Sequence, residues 1–244
     1  MLSDNMKISL ITVCYNSEKT IRDTIESVMK QTYKDYEYII VDGQSNDSTL
    51  DIINEYKDII LISEKDKGLY DAMNKGIKKA TGDIIGILNS DDILYDENVF
   101  RDIVDNFDED TQILYGDVKY YNEDFSEVIR DYISGEKKNN AWCPAHPTMY
   151  IRKEVFEKIG LYDLRYRIVS DYDFIVRCNV NNIRYKYLRQ YLVKMRYGGV
   201  SNGLKGYLIN FRECCMVLIK NRVPFPVSHT IGRSIHTIRQ LLTS

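Results

Sequence analysis

The 244-residue chain predicts an α/β fold, a doubly wound and mostly parallel sheet with a smaller antiparallel part and C-terminal amphipathic helices. Three observations predict it. Strand and helix patterns alternate through the first 107 residues, the rhythm changes after Gln112, and the last forty residues carry helical apolar spacing on a basic background. Alternation of the first kind means parallel strands joined by crossover helices.

In order, residues 7–14 read as a buried strand, and Ser17 then caps a helix with Ile21, Ile25 and Val28 on one face. Residues 36–41 are the second strand, and Asp47-Ser48 opens a helix with Leu50, Ile53 and Tyr56. Residues 59–62 are the third strand, followed by a helix over 70–80 that turns Ala72, Met73, Gly76, Ile77 and Ala80 inward. Residues 83–88 are the fourth strand and 99–107 a helix. Beyond Gln112, residues 113–121 and 128–132 read as antiparallel strands, with a polar loop at 134–140. A short strand (147–151), a helix (153–159) ended by Gly160, a second helix (171–181) and a Tyr-rich strand (183–197) follow. Two amphipathic helices, 207–219 and 231–242, are parted by Pro224 and Pro226. Residues 1–203 therefore read as one domain and 204–244 as a basic helical extension.

Charge sharpens that division. From 204 to 244 six Lys/Arg face one acid, a net of +5, whereas the other 203 residues carry 27 Lys/Arg and 35 acids, a net of −8. The acidic body offers nucleic acid no surface; the tail suits an anionic one. Five cysteines, Cys14, Cys143, Cys178, Cys214 and Cys215, have neither metal spacing nor the even count of a disulfide framework. Without a signal peptide they read as reduced cysteines of a cytoplasmic protein. No apolar run approaches the ~18 residues of a membrane span, so the chain reads as soluble or peripheral.

The chemistry concentrates at strand ends. Asn89-Ser90-Asp91-Asp92 follows the apolar run 83–88, at the edge of an open sheet where ligands bind. Two adjacent carboxylates repel and are eased by a cation; hard oxygen ligands suit Mg²⁺ or Mn²⁺, which commonly bridge to a diphosphate. The alternative is a helix cap for the segment starting near Asn98. Thr12-Val13-Cys14-Tyr15-Asn16-Ser17 ends the first strand without a Gly-rich dinucleotide loop, and no P-loop occurs. Tyr15 and Asn16 either stack on and bond a base or cap the next helix. Asp42-Gly43, at the end of the second strand, offers an acceptor for a ribose or base edge beside a residue that allows close approach. Asp66-Lys67-Gly68 leads into a helix whose N-terminus favours an anion, with Asn74 one turn inside. Trp142 and His146 share a loop stiffened by Pro144 and Pro147, and serve either as structure or as acceptor contacts. Of Asp171 and Asp173 at a helix start, one caps the helix and the other is a candidate general base. Arg196, with Ser201 in the Gly-rich turn that follows, has the chemistry to close over phosphate.

Together these stretches resemble an inverting family 2 glycosyltransferase of the GT-A fold, over roughly residues 7 to 201. Residues 9–16 resemble the family's opening strand, residues 41–49 its base-binding turn, and Asp66-Lys67-Gly68 with 71–76 the segment beneath the diphosphate. Asn89-Ser90-Asp91-Asp92 resembles the metal-binding motif and Ser170-Asp171-Tyr172-Asp173 the catalytic-base motif, with Ser170 where Glu is commonest. The resemblance implies a nucleotide-sugar donor, first of all a UDP-sugar. It implies donor contacts from Thr12, Tyr15, Asn16, Asp42, Asp66, Gly68, Asn74 and Asp91, and Mn²⁺ or Mg²⁺ on Asp92. Asp171 is then the base, and Trp142, His146, Asp173, Arg196 and Ser201 are acceptor or diphosphate candidates. Similarity to bacterial enzymes building surface polysaccharides implies a lipid-linked glycan acceptor, and the basic helices would then lie on the inner membrane face; the alternatives are that they pack on the sheet or form a dimer contact. A sugar nucleotidyltransferase and an inactive nucleotide-sugar-binding subunit are the alternatives. The former needs a Gly-rich, Arg-containing loop after the first strand, where this chain has Cys14-Tyr15-Asn16-Ser17-Glu18.

Overall fold

The computed structural model describes residues 6–197 and 204–231. The first half alternates as β1 (Ile8–Cys14), α1 (Ile21–Met29), β2 (Tyr36–Asp42), α2 (Thr49–Ile53), β3 (Ile59–Ser63), α3 (Leu69–Lys79) and β4 (Ile84–Asn89). Next come β5 (Ile93–Leu94), α4 (Val99–Asn106), β6 (Ile113–Tyr121), β7 (Val128–Tyr132), β8 (Tyr150–Arg152), α5 (Lys153–Ile159), α6 (Ser170–Val180), β9 (Tyr185–Arg196) and α7 (Leu204–Lys220). The strands form one sheet in the order β3-β2-β1-β4-β8-β6-β9-β5, with β7 beside β6. The β3-β2-β1-β4 half is parallel. Strand β8 then reverses direction between β4 and β6, while β6 and β9 run parallel.

The sheet separates two cores, as the period-2 alternation of its strands requires. Ile8, Leu10, Tyr38, Ile40, Ile84 and Leu88 face α1 and α4. Ile11, Val13, Ile39, Val41, Ile85 and Ile87 face α3, α5 and α6. Helix α3 lies so close to β1 that a Cβ on Gly76 would stand 2.5 Å from the Ile11 side chain. Helix α7 packs on α6 through Cys214, Val217 and Leu218 against Tyr172 and Val176. The five cysteines form no disulfide.

Four local readings change. Ser17 is not a side-chain cap: its carbonyl accepts the Thr20 and Ile21 N–H groups and its hydroxyl meets that of Ser90 at 3.0 Å, so α1 starts three residues later than the cap implied. His146–Thr148 is a 3₁₀ turn, and the strand begins only at Tyr150 because Pro147 cannot donate to a ladder. Strand β5, two residues long, gives no periodicity to read. Of the last helix over 231–242 only its first residue is described, within a helical stretch that starts at 226; the remainder lies outside the described residues.

Candidate functional site

Strands β2, β1 and β4 end level with one another, Cys14 opposite Asp42 and Val13 opposite Asn89. Their carboxyl ends open into a cleft of about 1110 Å³ bordered by Tyr15, Asn16, Gly43, Asp66, Gly68, Tyr70, Asp91, Arg167 and Arg196. A second hollow of about 390 Å³, rimmed by Asp23, Glu26, Asp96 and Asp124, lies beside α1 and holds none of the expected site residues.

At one end of the cleft two loops are tied together. Asn16 has a left-handed backbone (φ 51°), donates its N–H to Ser45 Oγ at 2.8 Å and accepts the Asn46 N–H on its side chain at 3.0 Å. Asp42 is fully buried beneath them. Its carboxylate accepts the Ser45 N–H (3.1 Å) and hydroxyl and the Ser63 hydroxyl (2.7 Å). Asp42 thus shapes the turn and leaves Gly43 at the surface, where a Cβ would come within 3.1 Å of Asp66 Oδ2 and 3.4 Å of the Tyr15 ring. Tyr15 is 61% exposed, a ring presented to the cleft with little cover. Asp66 is held by Lys75 at 2.5 Å. The next turn brings in Gly68 at φ 122°, which a side chain would strain, and lets the α3 N-terminus face the cleft.

The acid pair splits. Asp91 is exposed on the cleft wall, while Asp92 is 1% exposed and points inward. One Asp92 oxygen accepts from Asn89 Nδ2 at 2.8 Å and the other, Oδ1, has no partner. Burial, with the like charge of Asp91, holds its carboxyl well above the usual range. Arg196 closes the rim next to Asp91: its guanidinium reaches Asp23 at 2.5 Å, the Glu123 carbonyl at 2.7 Å and the Asp91 carbonyl at 3.4 Å.

At the far end stands the start of α6. The Tyr70 hydroxyl lies 2.6 Å from the Ile168 carbonyl and 2.9 Å from Asp171 Oδ1. Asp171 is half-buried behind Tyr70, which forms the cleft wall itself. Burial, helped by Asp171, pushes the Tyr70 phenol above its normal range. His146 Nε2 and the Tyr162 hydroxyl meet at 2.8 Å, and burial lowers the His146 pKa while Asp171 opposes that shift. Arg167 lies on the cleft wall, and α7 clamps its backbone: the two carboxylate oxygens of Glu213 accept the N–H groups of Arg167 and Ile168, both at 3.0 Å.

Of the expected residues, the structure brings Tyr15, Asn16, Asp66, Gly68, Asp91 and Arg196 to one cleft and Asp171 against its wall. It turns six others into the fold. Thr12 is buried and accepts the Tyr38 hydroxyl at 3.0 Å, on the α1 face of the sheet. Asp42 is the turn anchor. Asn74 clamps the Tyr162 backbone, donating to its carbonyl at 2.9 Å and accepting its N–H at 3.0 Å. Asp92 is inward, so Asp91 and not Asp92 presents the carboxylate. Trp142 packs edge-on against Tyr115 (5.0 Å) and Tyr185 (5.6 Å) in the second core. Asp173 is fully buried, with Arg177 at 2.8 Å and Lys220 at 3.3 Å. Ser201 lies outside the described residues. Tyr70 and Arg167 are cleft residues the sequence reading missed; Tyr70 follows Gly68 at a helix start that was already suspect.

The profile of Glycosyl transferase family 2 matches residues 9–220. A PGL/p-HBAD biosynthesis glycosyltransferase of Mycobacterium tuberculosis is 31% identical over 203 residues, 80% of this chain and 78% of that protein. The Escherichia coli UDP-Glc:alpha-D-GlcNAc-diphosphoundecaprenol beta-1,3-glucosyltransferase WfaP is 29% identical over 176 residues, 71% of this chain and 69% of that one. Among solved structures, S. aureus TarS 1–349 in complex with UDP-GlcNAc aligns with a TM-score of 0.68 at 20% identity, over 92% of this chain and 69% of that one. Mannosyltransferase PcManGT from Pyrobaculum calidifontis, in complex with GDP-Man and Mn²⁺, aligns with a TM-score of 0.66 at 14% identity, over 93% and 74%.

Proposed function

The chain belongs to glycosyl transferase family 2, with the GT-A fold, and from that premise we propose that it moves a sugar from a nucleoside diphosphate to a glycan hydroxyl with inversion. The observation that carries this is a single cleft with an open carboxylate, Asp91, on one wall and the Tyr70–Asp171 pair at another. Tyr15, Asn16, Gly43 and Asp66 bind the base and ribose. Among the described residues no group of three or more His, Cys, Asp or Glu is poised around an ion. Of the carboxylates on the cleft wall, Asp91 at the end of β4 would be the residue to hold Mg²⁺ or Mn²⁺, hard ions that suit oxygen ligands. When bound, such an ion offsets the charge that develops on the departing diphosphate. Asp171 takes the proton of the attacking hydroxyl, whose oxygen bonds to the anomeric carbon as the carbon–phosphate-oxygen bond breaks toward the diphosphate. One displacement inverts the centre.

The finer donor and acceptor choices lean on relatives. The name of the E. coli relative specifies UDP-Glc and a diphosphoundecaprenol-linked sugar, which supports a UDP-sugar and a lipid-linked acceptor here. No described helix is long and apolar enough to cross a membrane. Of the extension over 204–244, the described α7 is seated on the domain through α6, and we propose that it leaves one face for an anionic bilayer. Leu208 (60%), Ile219 (64%) and Phe225 (76%) are exposed there, next to the exposed Arg212 and Arg222.

A thermal-shift panel of UDP-, GDP- and dTDP-sugars, each with Mn²⁺ or EDTA, tests the donor site. A ligand at 100 times its Kd adds about 2.7 kcal/mol, on the order of 5–10 °C in Tm for a chain of this size. A shift that EDTA removes is expected with one nucleotide class; no shift with any of them overturns the donor assignment. Flotation with anionic liposomes tests the bilayer face, which is discarded if wild type and a Leu208→Glu/Ile219→Glu variant float equally.

A further inference from the structure

Tyr70 forms no bond in the displacement itself, yet among the described residues its hydroxyl is the one hydrogen-bond partner of the Asp171 carboxylate. It stands between two acceptors, the Ile168 carbonyl at 2.6 Å and Asp171 Oδ1 at 2.9 Å. A phenol has one proton, a carbonyl can only accept, and so can an ionised carboxylate. Only one of the two oxygens receives the proton at any moment. An ionised carboxylate is the stronger claimant, because charge-assisted hydrogen bonds are roughly twice as strong as neutral ones; a neutral acid loses that advantage.

Taking Asp171 as the base, we propose that Tyr70 is its positioning residue, a one-proton rotor that donates to Asp171 while the carboxylate is ionised and turns to the Ile168 carbonyl after Asp171 has been protonated. The contact fixes Oδ1 and leaves Oδ2 for the incoming hydroxyl. Tyr70 forms and breaks no covalent bond: the proton moves from acceptor oxygen to Asp171, and the electron pair of the broken bond leaves with the diphosphate.

Both ends of the rotor are braced. The Ile168 carbonyl belongs to a strap whose Arg167 and Ile168 N–H groups are held by Glu213, and α7, which carries Glu213, is buried on α6 through neighbouring Cys214. The Tyr70 ring lies 5.7 Å from that of Tyr162. The other groups around Asp171 are Tyr162 and His146, which bond each other; Asp173, on the same helix, is turned away to Arg177 and Lys220. The rotor is thus the direct polar link between the carboxylate and the fold.

Tyr70→Phe keeps the ring and removes the proton. In the full-length protein with Mn²⁺, UDP release from UDP-glucose with water as acceptor should fall about 3- to 30-fold in kcat, within the range of one positioned hydrogen bond. The donor KM should stay within about twofold. The fall-off in rate on the acid side should move to higher pH, since a lost donor to the charged form disfavours it. Incorporating 3,5-difluorotyrosine at position 70, a stronger donor, should move it to lower pH. The ¹³C-carboxyl titration of Asp171, assigned by difference with Asp171→Asn, should shift in the same two directions without any substrate. An unchanged titration in both variants overturns the rotor. If Asp171→Asn turns over like wild type while the two titrations shift, the base assignment fails and the rotor stands.

Discussion

Two pairs of aspartates, Asp91-Asp92 at the end of β4 and Asp171/Asp173 at the start of α6, solve the same problem in different ways. Each pair turns one carboxylate into the protein; of the other two, Asp91 lies on the cleft wall and Asp171 sits half-buried behind Tyr70. The inward Asp173 has a full set of partners, Arg177, Lys220 and Asn221, and it joins α6 to α7. The inward Asp92 has one side-chain partner, Asn89, and although the Arg196 backbone and charge also ease it, burial beside Asp91 prevails and favours the neutral acid. A buried charge is tolerated when paired and otherwise neutralised. Within these pairs, partner count distinguishes the ion-paired Asp173 from the neutral-favouring Asp92, and exposure distinguishes Asp91 from both.

The largest effect that would sharpen this comparison is on rate. Asp171→Asn should lower transfer by about 10²–10⁴ while the Tm shift with the donor persists; full turnover would break the contrast at α6. Next, Asp173→Ala should cost about 3 kcal/mol in urea unfolding, because it removes a fully buried carboxylate shared by Arg177 and Lys220 and leaves both cations facing the gap. Asp171→Asn keeps the side chain's size and an oxygen to accept the Tyr70 hydroxyl, and should cost about 1 kcal/mol. Asn74→Ala leaves two backbone groups of Tyr162 unpaired and should cost about 1–3 kcal/mol in the same measurement. At β4 the order reverses: Asp92→Asn should change stability by under about 1 kcal/mol and keep the metal-dependent donor shift, whereas Asp91→Asn loses that shift. Equal behaviour of the two would return the metal to Asp92.

The smallest effect concerns a third, well-partnered carboxylate. Burial alone would raise the Glu37 pKa, but its bonds from Lys7, Ser9 and Thr81 prevail and lower it from 4.5 to about 2. A depressed folded value contributes stability that is fully present above pH 4.5 and lost as pH falls through about 2. Glu37→Gln should flatten the Tm-versus-pH curve over that window and leave it unchanged near neutrality.

The sheet was largely legible because its signals are local. Period-2 alternation and helix spacing located β6, β7 and α5 to the residue, and the strand ends pointed to the cleft. What escaped reading was set by side-chain direction and distant partners. Thr12 shares its strand face with Leu10 and Cys14, so the same alternation that identified β1 also turned Thr12 inward, toward Tyr38. Asn74, a mediocre helix former in mid-helix, did signal something; the cause is the backbone of Tyr162, 88 residues away. Tyr70 stood at a helix start already under suspicion, but its partners, Ile168 and Asp171, lie 98 and 101 residues further on. Asp91 and Asp92 are indistinguishable as letters and differ only in exposure.

The tie between Arg196 and Asp23 spans 173 residues, and it sets an order of assembly. The loops that follow β1 and β2 need only β1 to β4, a stretch of near neighbours along the chain, whereas the rim waits for β9 to return to α1. Contacts of such long separation form late, after their loop-closure entropy has been met. On the ribosome, the nascent protein can therefore complete the floor of its cleft while the segment that closes the rim is still being synthesised.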